Sequence, residues 1–256
     1  MVSPGSAVAR VSRDLALPFQ GVLRRFTRGF GALGAFLPSP AADLSPRAVA
    51  GWLPHEGPVC SRCGAFLGAV RADACGCPAC AAVRLPFDAA RSLFAYEGPV
   101  RDAIRAAKYG GRRAAVDTVA LRLHDAIRGR WADLFPDGLR PAVVPVPIRP
   151  WKYFRRGFNL PGLIGLALAR RTGWPFIPLI LRRIGESRPQ AGLPLAERAE
   201  NVRGAFRAAP GMPVPPAVIL LDDVYTSGAT AAACARALKT GGAEIIVVLT
   251  VARAVA

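Results

Sequence analysis

The sequence predicts an α/β protein, a parallel sheet flanked by helices, preceded by a small cysteine-rich module. Two observations carry that expectation. From about residue 140 onward, short apolar runs alternate with helical patterns, the order that builds a parallel sheet. Upstream, five of the six cysteines fall between Cys60 and Cys80. A chain of 256 residues buries one good core and forms one or two domains.

Taken in order, residues 1–55 show scattered apolar positions and several Gly and Pro, and they suggest one amphipathic helix around Leu15–Phe30. The run Arg91–Tyr96 alternates as a strand does, and Gly98–Tyr109 reads as a helix stopped by Gly110 and Gly111. A second helix is expected from about Ala115 to Gly129. Ala142–Val146 is a short apolar strand, and Leu160–Arg171 a helix closed by Gly173 and Pro175. Phe176–Leu181 is the next expected strand. The polar stretch Gly185–Phe206 is long for a loop inside a compact domain and reads as a functional lid or a disordered segment. A buried strand Ala217–Leu221, a helix reaching Lys239 and a strand Ile245–Val251 complete the pattern.

The charge narrows the partners. Thirty-four Lys and Arg face 17 Asp and Glu, a net charge of +17, which favours anions such as phosphorylated small molecules, nucleic acid or acidic lipid headgroups. The bland reading is a GC-biased genome, since only Lys108, Lys152 and Lys239 are lysines. Hydrophobic residues make up 52% of the chain, against general disorder. The longest apolar runs, such as Phe30–Leu37, fall well short of the roughly 20 residues of a membrane-spanning helix. The basic N-terminal segment is too interrupted by Gly to read as a secretory signal, and a cytoplasmic protein is expected.

Cysteine spacing points to metal. Cys60-x2-Cys63 and Cys77-x2-Cys80 are two knuckles whose four thiolates can close a tetrahedral zinc site, with Cys75 spare. Gly64 and Gly76 ease the turns. Four thiolates leave no open position, so the zinc is expected to be structural. Clustered Cys-x-x-Cys pairs suit a reducing cytosol better than disulfides do. Cys234 lies on the apolar face of a helix and reads as core.

The most informative segment is Val218–Thr230. Four apolar residues end in Asp222 and Asp223; Val224 and Tyr225 follow, and then Thr226, Ser227, Gly228, Ala229 and Thr230 lead into a helix. Small residues at a helix start turn backbone N–H groups inward and cradle a phosphate. Two carboxylates at the strand edge suit vicinal hydroxyls, or a hard cation such as Mg2+.

This segment resembles the binding signature for 5-phosphoribosyl-1-pyrophosphate (PRPP) of type I phosphoribosyltransferases. Further runs resemble the ComF family, which couples a four-cysteine zinc ribbon to such a domain and is named for a competence protein of DNA uptake. These are Lys108-Tyr-Gly-Gly111, Val144-Pro-Val-Pro147, Arg155-Arg-Gly-Phe-Asn159, Gln190-Ala-Gly-Leu193 and Asn201-Val-Arg-Gly-Ala-Phe206. Two departures are Tyr225, where the signature carries an aliphatic residue, and Leu160, where ComF-like chains carry Gln. The resemblance implies an unassigned extension at 1–55, a zinc ribbon at 56–85 and a phosphoribosyltransferase-type domain at 90–256. It implies that Asp222 and Asp223 hold the ribose hydroxyls and that Thr226–Thr230 hold the 5′-phosphate. Backbone near Val146 and Pro147 would meet the pyrophosphate, with Lys152, Arg155 and Arg156 neutralising it as it leaves.

Arg188, Gln190 and Arg203 are candidates for the lid, while His55 and His124 sit in no motif. The expected function is Mg2+-dependent transfer of phosphoribose to an unknown acceptor. Any hood over that acceptor is expected before residue 140, around Lys108 and Tyr109. The alternative is a non-enzymatic competence protein whose pocket senses PRPP or a nucleotide while its basic surface and zinc ribbon meet single-stranded DNA or a helicase. Trp151-Lys-Tyr-Phe-Arg-Arg156 would then stack on bases.

Overall fold

The computed structural model describes residues 52, 54–67, 77–109, 115–184 and 204–255. Among these the expected α/β architecture is present: a four-stranded parallel sheet flanked by helices. Its strands are β1 (Ala89–Ala95), β2 (Ala142–Pro145), β5 (Ala217–Tyr225) and β6 (Ile245–Arg253), in the order β1-β6-β5-β2. The helices are α1 (Gly98–Tyr109), α2 (Val116–Arg128), α3 (Pro150–Arg156), α4 (Leu160–Thr172) and α5 (Ala229–Thr240). Two short strands, β3 (Leu181–Arg183) and β4 (Phe206–Ala208), pair antiparallel as a separate ribbon.

The central strands read as unbroken apolar runs because both faces are covered. Side chains alternate across a strand, so Ile219 and Leu221 of β5 pack with Leu249, Ile164, Leu168 and Leu123 on one face. Val218 and Leu220 pack with Ile246, Val248, Cys234 and Leu238 on the other. Helix α4 comes close to the sheet at Gly165, where an added Cβ would lie 3.1 Å from Phe176, 3.3 Å from Leu221 and 3.3 Å from Val143.

Strand lengths set the site. β2 pairs with β5 over Ala142–Pro145 alone, opposite Val218–Leu221. β5 runs on, supported on its other side by β6 as far as Tyr225 opposite Arg253. Asp222 and Asp223 therefore stand beyond the end of β2, at the carboxyl edge where open sheets take their ligands.

Two expectations need correction. Phe176–Leu181 is not a strand: Phe176 makes a single parallel bridge to Val143, and the extended segment begins at Leu181 because its partner is β4. The strand expected to end at Leu221 continues through the acids, since β6 supplies backbone partners there. A further helix, Pro150–Arg156, had no counterpart in the sequence reading, because it buries no residue and so shows no apolar stripe. The expected Leu15–Phe30 helix and the stretch 185–203 lie outside the described residues.

Close packing at Gly165 gives a test. Gly165→Val would press into Phe176 and Leu221, and a loss of ~1–3 kcal/mol is expected in urea unfolding.

Candidate functional site

Two places gather chemically active side chains. In the first knuckle, Val59 and Phe66 form an antiparallel bridge, and the Gly64 N–H donates to the Cys60 carbonyl at 2.9 Å. Gly64 is left-handed at φ 70°, and a Cβ there would collide with the Ala90 carbonyl, so the knuckle lies flush on β1. The second knuckle is a turn in which the Cys80 N–H donates to the Cys77 carbonyl at 2.9 Å.

The sulfurs lie 3.7 Å apart for Cys60 and Cys80, 3.6 Å for Cys63 and Cys77, and 4.0 Å for Cys77 and Cys80. Metal–sulfur bonds of ~2.3 Å in a tetrahedron imply sulfur–sulfur edges of ~3.8 Å. The four buried cysteines thus fit a closed thiolate zinc centre. Burial opposes ionisation at Cys60, yet backbone N–H groups of Cys63, Arg62 and Cys77 bring its thiol down to about 6. Burial drives Cys63 up to about 12 and raises Cys80. A bound dication is what would ionise the whole set. Cys75 lies outside the described residues, and Cys234 is buried in the core, where burial raises its thiol.

At the carboxyl edge of β5, Asp223 is buried and its Oδ1 accepts a 2.7 Å bond from Lys108 Nζ, carried in the last turn of α1. The partly buried Asp222 accepts the Asp223 N–H at 2.8 Å. Burial, then the neighbouring Asp223 charge, pushes Asp222 up to about 7 against the pull of Lys108. Burial also works against the Lys108 charge, but Asp223, with help from Asp222 and Tyr96, outweighs it and raises its pKa.

Beyond the acids, Thr226 and Ser227 are exposed, Gly228 is left-handed at φ 75°, and Ala229 and Thr230 open α5, where backbone N–H groups lack helical partners. Ser227 Oγ accepts the Ala229 N–H at 3.4 Å. Across the site, Asn159 Nδ2 donates to the Val146 carbonyl at 3.0 Å. Of the backbone expected to meet the pyrophosphate, the Val146 N–H donates to the Leu221 carbonyl at 2.8 Å, and Pro147 has no N–H.

No protein-family model matches the chain. Over 118 residues it is 34% identical to Competence protein F of Haemophilus influenzae, a match covering 45% of this chain and 52% of that protein. Over 197 residues it is 27% identical to the DNA utilization protein YhgH of Salmonella typhi, covering 76% of this chain and 84% of that one. Competence protein ComFC of Streptococcus pneumoniae is 30% identical over 111 residues, 43% of this chain and 47% of that protein. The chain is similar to these competence proteins over the matched residues. Its matches span about half the length of the Haemophilus and Streptococcus relatives.

The remaining ComF-like motifs supply cations. Lys152 on α3 is half-buried, and its pKa is lowered by burial and then by the charges of Arg156, Arg149, Lys108 and Arg183. That crowding places Lys152 and Arg156 in one cationic group with Lys108. Arg155 leans instead on the Trp151 ring, 5.5 Å from its centroid. Leu160 is buried in the core, so it brings no polar group to the site. Arg188, Gln190 and Arg203 lie outside the described residues. His55 stacks on Phe66 at 3.8 Å, and His124 lies 3.5 Å from Asp125 on α2.

Lys108 is the residue that sequence reading underrated, placing it in a ComF-like run and near a possible hood but giving it no carboxylate partner. One signal was available: of 34 basic residues three are lysines, and two of those, Lys108 and Lys152, converge here.

Among the described residues no helix is long and apolar enough to cross a membrane.

Both clusters give expected outcomes. Stripping zinc with a chelator, or Cys80→Ser, should lower Tm by ~5–10 °C in differential scanning calorimetry. For Asp222, a raised carboxyl pKa stabilises the fold below the ordinary value near 4, and that contribution is lost as pH rises through about 7. Asp222→Asn should therefore match or exceed wild type by ~2–4 °C at pH 8, and the difference should shrink by pH 5 and vanish below about pH 4.

Proposed function

We propose that the carboxyl edge of β5 binds PRPP or a closely similar phosphoribosyl ligand, in a protein that serves DNA uptake or use. The observation that carries the first half is the sequence of groups along one edge. A paired Asp222 and Asp223 comes first, then the left-handed Gly228 at the start of α5, with Lys108 bridging the acids to the cations of α3. The carboxylates accept the ribose hydroxyls, and the amides of residues 226–230 take the 5′-phosphate. Lys152, Arg156 and Arg149 then face the pyrophosphate. Charge grows on that group as its bond to the ribose breaks, and fixed cations favour the change. Transfer to an acceptor is the reaction this arrangement suits.

Asp223 is engaged by Lys108, and Asp222 is half-protonated near neutrality, so the two carboxylates do not form a ready site for Mg2+. Any such ion would come with the ligand's own oxygens.

The second half rests on the relatives' names, competence and DNA utilization proteins. One surface supports a non-enzymatic reading alongside it. Helix α3 exposes Trp151, Tyr153 and, at 87%, Phe154, interleaved with Lys152 and Arg155, and such an aromatic and cationic face suits single-stranded DNA.

Two measurements separate these readings. PRPP at about 100 times its Kd should stabilise the wild type by ~2.7 kcal/mol, a Tm rise of ~5 °C, and Asp222→Asn should lose most of it. Because the ribose contact needs the ionised carboxylate, affinity should fall by up to ~10-fold between pH 8 and pH 6. A zinc-loaded, folded protein that shows no PRPP shift would sink the ligand assignment. For the second reading, Trp151→Ala with Phe154→Ala should weaken single-strand binding by ~10-fold or more in fluorescence anisotropy, with strong salt dependence in the wild type. Equal binding by both proteins would remove α3 from the DNA surface.

A further inference from the structure

Arg253 closes β6, and its guanidinium is buried without a carboxylate partner among the described residues. Its Nη1 donates to the Cys63 carbonyl at 2.7 Å, and its Nη2 lies 4.0 Å from Cys63 Sγ. The same guanidinium sits 4.3 Å over the Tyr225 ring. Tyr225 is itself buried, directly before the loop. A Cβ added to Gly228 would collide with Tyr225 Oη, so the left-handed turn of the loop rests on that hydroxyl. A continuous line of contacts thus runs from a cysteine of the metal centre, through Arg253 and Tyr225, to the middle of the loop Thr226–Thr230. An aliphatic side chain at position 225 would offer neither a face to the guanidinium nor a hydroxyl under Gly228.

We propose that Arg253 and Tyr225 are positioning residues through which the filled four-cysteine site sets the conformation of the loop Thr226–Thr230. Metal bound at Cys63 fixes the knuckle and hence the carbonyl that holds Arg253. Arg253 fixes the Tyr225 ring, and the ring fixes the turn at Gly228. The zinc centre then governs ligand affinity without touching the ligand. This rests on the reading of that loop as the phosphate cradle, but the coupling can be measured without any ligand.

The test is hydrogen–deuterium exchange over residues 226–230, with zinc content measured in parallel. Arg253→Met should keep its zinc, while the loop amides exchange ~10-fold faster than in wild type. Arg253→Lys, which restores a donor, should fall between the two. Chelating zinc from wild type should speed the loop by a similar factor, and chelating it from Arg253→Met should add little. Tyr225→Leu leaves the knuckle untouched and should loosen the loop with zinc retained, so the proposal stays testable if Arg253→Met does not fold. Loop exchange unchanged in zinc-loaded Arg253→Met or Tyr225→Leu, or unchanged by chelation in wild type, would overturn it. PRPP affinity should drop ~10-fold in Arg253→Met. A wild type that binds no PRPP would defeat the ligand reading, and the exchange data would still decide the coupling.

Discussion

The pairing of β5 with β6 runs past the apolar part of β5, and the site is built on that excess. Were the strand to end with β2, the chain would turn away after Leu221 and both acids would fall in a loop. Because β6 offers backbone partners as far as Arg253, Asp222 through Tyr225 remain in the sheet. Asp223 then meets Lys108 from α1, and Tyr225 meets Arg253 from β6. The register also fixes where α5 begins, so the free amides of its first turn open beside the acids.

That edge concentrates charge of both signs in little space. Asp223 and Lys108 neutralise each other, which leaves Asp222 as the carboxyl with a raised pKa and Lys152 as the ammonium with a lowered one. Each departs from its ordinary value through burial first and like-charged neighbours second. A ligand that carries a diol between a 5′-phosphate and a pyrophosphate would meet the acids, the free amides of α5 and the cations of α3 at once, the physical ground for proposing a phosphoribosyl ligand over a simple anion. Arg91 ties the cysteine knuckle to β1 through the Ser61 carbonyl at 2.9 Å, so the four-cysteine cluster is docked on the same sheet.

What the sequence made legible was local. Helix α1 was readable to its ends, because its apolar spacing and the Gly110-Gly111 pair that follows Tyr109 are both local features of the sequence. The cysteine pairs were readable because knuckle geometry needs only residues three apart. The acids and the small-residue loop were readable as one contiguous segment. Lys108 was not: its partner lies 115 residues away, and nothing near Lys108 announces a carboxylate. Arg253 was equally hidden, since a basic residue at the end of a buried strand looks like a solvated terminus until Cys63 is placed beside it. Helix α3 carries no apolar stripe, so periodicity had nothing to detect. Phe176–Leu181 misled for the opposite reason, its apolar residues packing against the sheet without extending it.

The most direct measurement is diffraction from crystals grown with saturating PRPP. Ribose density against Asp222 and Asp223, with the 5′-phosphate on the amides of residues 226–230 and pyrophosphate toward Lys152, is the expected result. An empty β5 edge, or ligand density elsewhere on the protein, would contradict the assignment of this edge as the phosphoribosyl site.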